Sequence, residues 1–377
     1  MKKTCAEMRI KMKENNQFTK NDTLILKGIA ILIMMYHHCF CTLERFSNYN
    51  VQFCIVSQDI GIRISNFGKI CVAIFTFLSA YGMTISWKNS KNTDAPYSER
   101  TTKFLKKRMF NLMQGWLIIF VVCEVFCWFM DKRQLSVYTG NTARKLVYMF
   151  IDGLGLADLF GTPTLIATWW YMSLAIVLII LFPVLIMLYK KFGALLFLGA
   201  VVVIPRVFDI SYEPVTNWIL TFAIGMVCAD LNLLVRIKKF KLSENRVVDY
   251  AVKFAASMIL LVGCFYFREM ADIGFFYEFR HTFVTLLVIY MSYVFICDVP
   301  YLKGILAFFG KHSMNIFLIH SFIRTTYFEK FIYGFKYPLL IISVLFAISL
   351  CVSIVIERLK AWLGYNKLVS ALREKYM

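Results

Sequence analysis

Residues 26–40 read LKGIAILIMMYHHCF, an apolar run that carries a lysine near its start and two adjacent histidines near its end. An ionisable group deep in a membrane helix costs about 2.5–3.5 kcal/mol on insertion scales, so each one asks for a reason. Lys27 and His38 are eleven residues apart. Eleven steps of about 100° bring them within roughly 20° of the same helix face, about 16 Å apart along the axis. His37 points about 100° away from His38. A lysine snorkelling to one interface, with histidines capping the other end, would account for the pair. A polar path along one helix face would account for it equally, with a fixed cation at one depth and a titratable imidazole at another.

The rest of the chain favours a membrane setting. Of 377 residues, 59% are hydrophobic and only 17% charged, too few to cover a soluble domain of that size. The net charge of +19 would suggest nucleic acid as a partner for a soluble protein. Here the basic residues concentrate in alternate loops, which instead fits orientation in a bilayer and leaves no nucleic-acid partner expected. Most of the eleven cysteines lie inside apolar runs and read as small hydrophobes. No CxxC pair points to a metal site, and no disulfide framework is expected. The basic N-terminal stretch leads into a full-length span with no small-residue cleavage site, so no cleavable signal peptide is expected.

Windows of roughly 20 apolar residues predict an all-α polytopic bundle of about ten spans. They fall near 23–43, 68–87, 112–130, 169–189, 193–206, 215–235, 251–267, 281–298, 305–323 and 337–357. Residues 145–166 hold three glycines, two aspartates and a proline, and read as an interfacial or re-entrant segment. Segments 1–22, 88–111, 190–191 and 236–246 and the C-terminal tail are rich in Lys and Arg, while the loops between them are poorer. That alternation predicts both termini in the cytoplasm, with 1–22 and 358–377 as cytoplasmic tails of a single membrane domain filling 1–377.

Four stretches carry a family resemblance. LKGIAILIMMYHH, from residue 26, resembles the first-helix signature of the membrane-bound acyltransferase 3 family, a basic residue followed after ten residues by His. Lys27 stands where that family usually has Arg, which keeps the charge and loses the planar fork. VAIFTFLSAYGMTIS (72–86) resembles the family's second-helix pattern, with Ser79 and Tyr81 matching and Ala80 in place of a glycine. ATWWYMSLAIVLIILFPVL (167–185) resembles a Trp-rich helix entry, and FFGKHSMNIFLIHSFI (308–323) a late-helix pattern ending in His320. The four blocks follow family order along nearly the whole chain.

The resemblance implies an O-acyltransferase of the bacterial cytoplasmic membrane that uses acyl-CoA, usually acetyl-CoA, as donor substrate with no bound cofactor. The acceptor would be a hydroxyl of a cell-envelope or exported carbohydrate, or of a lipid-linked glycan. Such a transfer needs a base for the hydroxyl, partners for the developing oxyanion and cations for the donor phosphates. The resemblance makes His38 the base and Lys27 its catalytic companion, with His37 a structural neighbour.

Lys106, Lys107 and Arg108, in KFLKKR, are candidates for the CoA phosphates, although a positive-inside anchor explains them as well. Ser79 is a further donor-side candidate, or a helix–helix hydrogen bond. Tyr81, Trp169, Trp170, Tyr171 and His320 are candidates for the acceptor side. For the tryptophans an aromatic belt is the plainer reading, and for His320 a hydrogen-bonded structural role. Glu124 needs a partner from another span, with Lys69 expected before Lys27. His281 is expected at an interface, and Gly310-Lys311-His312 at a helix break. A transporter or flippase of lipid-linked sugars would also line a path with buried charges, but would show paired half-repeats, which are not seen. Nothing in the sequence speaks to oligomeric state.

Overall fold

The computed structural model describes residues 17–90, 95–270 and 277–376. Among them the chain is α-helical, without strands. The first span, α1 (Lys20–Phe40), starts at a reciprocal cap. Thr19 Oγ1 accepts from the Asp22 amide at 3.1 Å, and Asp22 accepts from the Thr19 amide at 2.8 Å. A short amphipathic helix, α2 (Gln58–Phe67), leads into α3 (Ile70–Lys88). Then follow the long α4 (Tyr97–Met130), α5 (Thr142–Gly153), α6 (Trp170–Val207) and α7 (Glu213–Leu231). The last elements are α8 (Arg246–Met270), α9 (Tyr277–Phe295), α10 (Leu302–Ser321), α11 (Pro338–Trp362) and α12 (Tyr365–Tyr376).

Seven helical stretches among the described residues are long and apolar enough to cross a membrane, and the protein is an all-α polytopic membrane protein. The ten windows expected from sequence all fall on helix, and three of them miss that standard for identifiable reasons. The windows 169–189 and 193–206 join in α6 across a kink at Gly193, where φ is 77°. The apolar part of α9, Phe279–Phe295, is short. α10 is diluted by Lys303, Lys311, His312, Asn315 and His320. The exposed Val121, Val125 and Phe129 of α4 and Ile259 and Val262 of α8 are surfaces for lipid.

Two crossings organise the bundle. α1 packs most extensively on α10, with Gly28 and Gly310 at the contact: a Cβ on Gly310 would stand 1.8 Å from the Leu24 carbonyl oxygen. Gly310 therefore sits inside a continuous helix and lets two backbones touch, and the expected helix break is absent. α3 crosses α7 at Ala80, where a Cβ on Gly225 would lie 3.0 Å from the Ala80 Cβ. The close approach that a glycine at 80 would serve is met by the glycine on the facing helix. At the end of the bundle bearing the basic loops, Asp230 of α7 accepts from Lys190 (2.8 Å) and Tyr189 (2.9 Å) and pairs with Lys88 (3.1 Å). That clamp ties α3, α6 and α7 together.

At the other end, Glu124 finds its partners in the segment after its own helix rather than in a lysine. Gln134 Nε2 donates to Glu124 Oε2 at 2.7 Å, and the Tyr138 hydroxyl lies 2.7 Å from Glu124 Oε1 and 2.8 Å from Asp152 Oδ2. Asp152, at the end of α5, also accepts from Thr164 Oγ1 (2.9 Å) and from the Leu165 amide (2.8 Å). These bonds pin segment 145–166 against the bundle. The Tyr138 hydroxyl thus stands between the two carboxyls and bridges them. Tyr138→Phe leaves the buried Asp152 and the half-buried Glu124 without their bridge. It is expected to cost about 1–3 kcal/mol, seen as a lower thermal midpoint in detergent and faster proteolysis between residues 153 and 166. An unchanged midpoint and cleavage pattern would refute the bridge. His281 is buried against the Trp218 ring at 5.4 Å between centroids, so it faces the protein core rather than lipid or water.

Candidate active site

α1, α3, α4, α6 and α10 enclose a cavity of about 430 Å³, within the size range of about 300–1,000 Å³ usual for ligand pockets. Lys27 and His38 both line it. The unbroken α1 holds them on one face, and the cavity runs along that face.

Each wall follows from helical phase. On α3, Ser79 and Gly82 are exposed although their neighbours Leu78, Ala80, Tyr81 and Met83 are buried. The two lie three residues apart, on one face, and that face opens on the cavity. A Cβ on Gly82 would meet nothing within 4 Å. Tyr81 is turned about 200° from Ser79 and packs away from the cavity, edge-on to Phe18 at 4.9 Å.

On α4, the basic run divides. Arg108 lines the cavity and donates from Nη2 to the Gly82 carbonyl at 2.7 Å, within electrostatic reach of Lys27. Lys106 and Lys107 are exposed on other faces, Lys106 beside a shallow apolar groove with Leu105, Met109 and Leu372. Asn111, one turn further on, also lines the cavity and accepts from Arg373 of α12 at 2.8 Å.

The Trp-rich entry to α6 divides too. Trp170 and Tyr171 line the cavity, and the Tyr171 ring lies 5.5 Å from that of Phe317. Trp169, at the end of a 3-10 turn (Ala167–Trp169), is buried. Its indole N–H donates to the Leu318 carbonyl at 3.0 Å and its ring meets Trp116 edge-on at 4.7 Å.

His320 is fully buried and lies beside His38, with ring centroids 4.9 Å apart. Its Nδ1 is 2.7 Å from the Phe317 carbonyl, which can only accept, so Nδ1 bears the proton. Nε2 then accepts from the Ser321 hydroxyl at 3.2 Å. His320 is absent from the cavity wall and backs the imidazole that lines it. His37 is held apart through Nδ1 at 2.8 Å from the Ser65 carbonyl. His38 Nδ1 is buried and has no hydrogen-bond partner among the described residues. The rings of His37 and His320, not a carboxylate, flank this imidazole.

The cavity is cationic. Lys27, Lys69 and Arg108 line it, and no Asp or Glu does among the described residues. Lys69, at the start of α3, was weighed from sequence only as a partner for Glu124, and its part in the wall comes from tertiary packing. Thr23, Asn111 and Ser313 add neutral polar groups. An apolar chamber with three cations, a histidine and no carboxylate suits an anionic ligand and proton abstraction.

Comparison with known proteins identifies the family. Residues 25–358 match the acyltransferase 3 family model, described as an acyltransferase domain. No curated protein and no solved structure gave a significant match. The match begins two residues before Lys27, covers every residue of the cavity wall except Thr23 and reaches almost to the end of α11. The chain belongs to the membrane acyltransferase 3 family.

Proposed function

We propose that this membrane acyltransferase moves an acyl group, acetyl in the first instance, from acyl-CoA in the cytoplasm to a hydroxyl of a cell-envelope or exported carbohydrate. The observation that carries this reading is the single cationic cavity that joins Lys27 and Arg108 to His38. With the basic loops placed in the cytoplasm, Lys27 and Arg108 lie toward the donor's side and His38 toward the acceptor's side.

His38 takes the proton of the acceptor hydroxyl as the oxygen attacks the thioester carbonyl. The new C–O bond forms, the C–S bond breaks, and the imidazolium returns its proton to the CoA thiolate. Lys27 and Arg108, about 16 Å along α1 from the base, offset the charge of the donor phosphates rather than that of the reacting carbonyl. Ser79 and Tyr171 orient the acyl group, and Trp170 bounds the chamber. Lys106 and Lys107, exposed near the same end, raise the local concentration of an anionic donor without touching it.

Membranes containing the protein, given acetyl-CoA labelled in the acetyl group, are expected to yield alkali-labile label on envelope glycan. Lys27→Met should raise KM for acetyl-CoA about tenfold, equivalent to about 1.4 kcal/mol, with a smaller fall in kcat, and Lys27→Arg should restore it. Label that never reaches glycan would overturn the reading. Equal KM in Lys27→Met would remove Lys27 from the donor site.

A further inference from the structure

Two arginines near His38 are not used by the reaction described so far. Arg45 follows α1 on a short 3-10 turn (Leu43–Arg45), and its Nη1 donates to the His38 carbonyl at 2.5 Å. Arg324 lies on a π-helical turn (Phe322–Tyr327) directly after α10, four residues beyond His320, and is only 6% exposed. Its Nη1 reaches the Tyr333 hydroxyl at 3.4 Å, while that hydroxyl donates to the Cys39 carbonyl at 3.0 Å. Its Nε is buried and unpartnered among the described residues. Both guanidiniums are within electrostatic reach of each other and of the His38 ring. No carboxylate forms an ion pair with either among the described residues, although Glu44 and Glu329 lie close in sequence.

Burying a guanidinium without a counter-charge is costly, and the cost is recovered when an anion arrives. The planar fork of arginine matches the paired oxygens of phosphate and carboxylate. The two arginines come from two segments, the turn after α1 and the chain from 322 to 333. Tyr49 of the first stacks on Tyr333 of the second at 5.0 Å and 13°.

We propose that Arg45 and Arg324 form an oxyanion subsite at the His38 end of the bundle, which seats a phosphate or carboxylate group on the acceptor. The proposal rests on the acyltransferase reading and narrows it: the acceptor is an acidic glycan. An anion held here lies beside the base, so it fixes the register of the hydroxyl that His38 deprotonates. A lipid phosphate carries the same chemistry, and the lipid arm of the test below separates the two sources.

The test reads binding, so it stands apart from any failure of transfer activity. Full-length protein in phosphatidylcholine nanodiscs is titrated with glucose 1-phosphate, glucuronic acid and glucose, followed by tryptophan fluorescence. At least one anionic sugar is expected to bind about tenfold more tightly than glucose, a difference of about 1.4 kcal/mol. Arg324→Gln should abolish that preference while acetyl-CoA still binds, which shows that the variant is folded. If Arg324→Gln does not fold, Arg45→Gln, on a surface turn, is expected to lower the preference at least threefold. Equal affinity for the three sugars, or a preference unchanged in the folded variant, overturns the proposal. So does a preference that vanishes when a quarter of the lipid is phosphatidylglycerol, since the lipid would then be the occupant.

Discussion

His38→Ala is expected to lower acyl transfer by about 10²–10⁴-fold, the usual contribution of a general base. The protein should still insert, elute as a single species and bind acetyl-CoA. The expectation follows from position: among the histidines of the described residues, His38 alone lines the cavity. His320 is fully buried behind it, and His37 is bonded to the Ser65 carbonyl. The kcat/KM of the wild type should rise with pH as the imidazole becomes neutral and able to accept a proton, then level off. In His38→Gln, which keeps a polar group of similar length, that rising limb should disappear. A normally inserted His38→Ala protein that transfers label at the wild-type rate would end the assignment. A variant slowed as expected but keeping the rising limb would move the base to another group.

The Lys27–His38 relation was legible because α1 is one uninterrupted helix, over which angular arithmetic holds. The same arithmetic does not select among Lys106, Lys107 and Arg108 until it is known which face of α4 meets α1 and α3. Only Arg108 turns inward. Trp169 and Trp170 are neighbours in sequence, yet a change from 3-10 to α winding lies between them. One supports the core and the other lines the cavity. Lys69, Arg45 and Arg324 were not singled out as site residues, since each lies at a helix end or on a turn, beyond the regular span over which periodicity is read. Arg324 had a local signal all the same, four residues beyond His320 and so on the same side of the chain. Gly310 was misread because a glycine in an apolar run marks either a break or a close approach, and only the facing helix decides which.

Gly310→Val and Gly28→Val are expected to be the most damaging substitutions in the bundle. A Cβ on Gly28 would lie 2.1 Å from the Leu306 carbonyl oxygen, and one on Gly310 would lie 1.8 Å from that of Leu24. Both obstacles are backbone, so no rotamer change relieves them and α1 must separate from α10. Overpacking a core ordinarily costs about 1–3 kcal/mol. Here the displaced unit is a whole helix pair, which carries His38 on one member and His320 on the other. Each variant should therefore lose most of its monodisperse fraction in detergent, and what survives should lose transfer activity as the two rings part. Gly263→Ala is the matched control. Its Cβ would meet nothing within 4 Å on α8, and removing a glycine from a helix interior is worth about 0.5–1 kcal/mol in favour of the variant. Its thermal midpoint should equal or exceed that of the wild type. If Gly310→Val keeps the wild-type midpoint and elution profile, the helices do not meet at these glycines, and the wall that holds His38 must be rebuilt from another crossing.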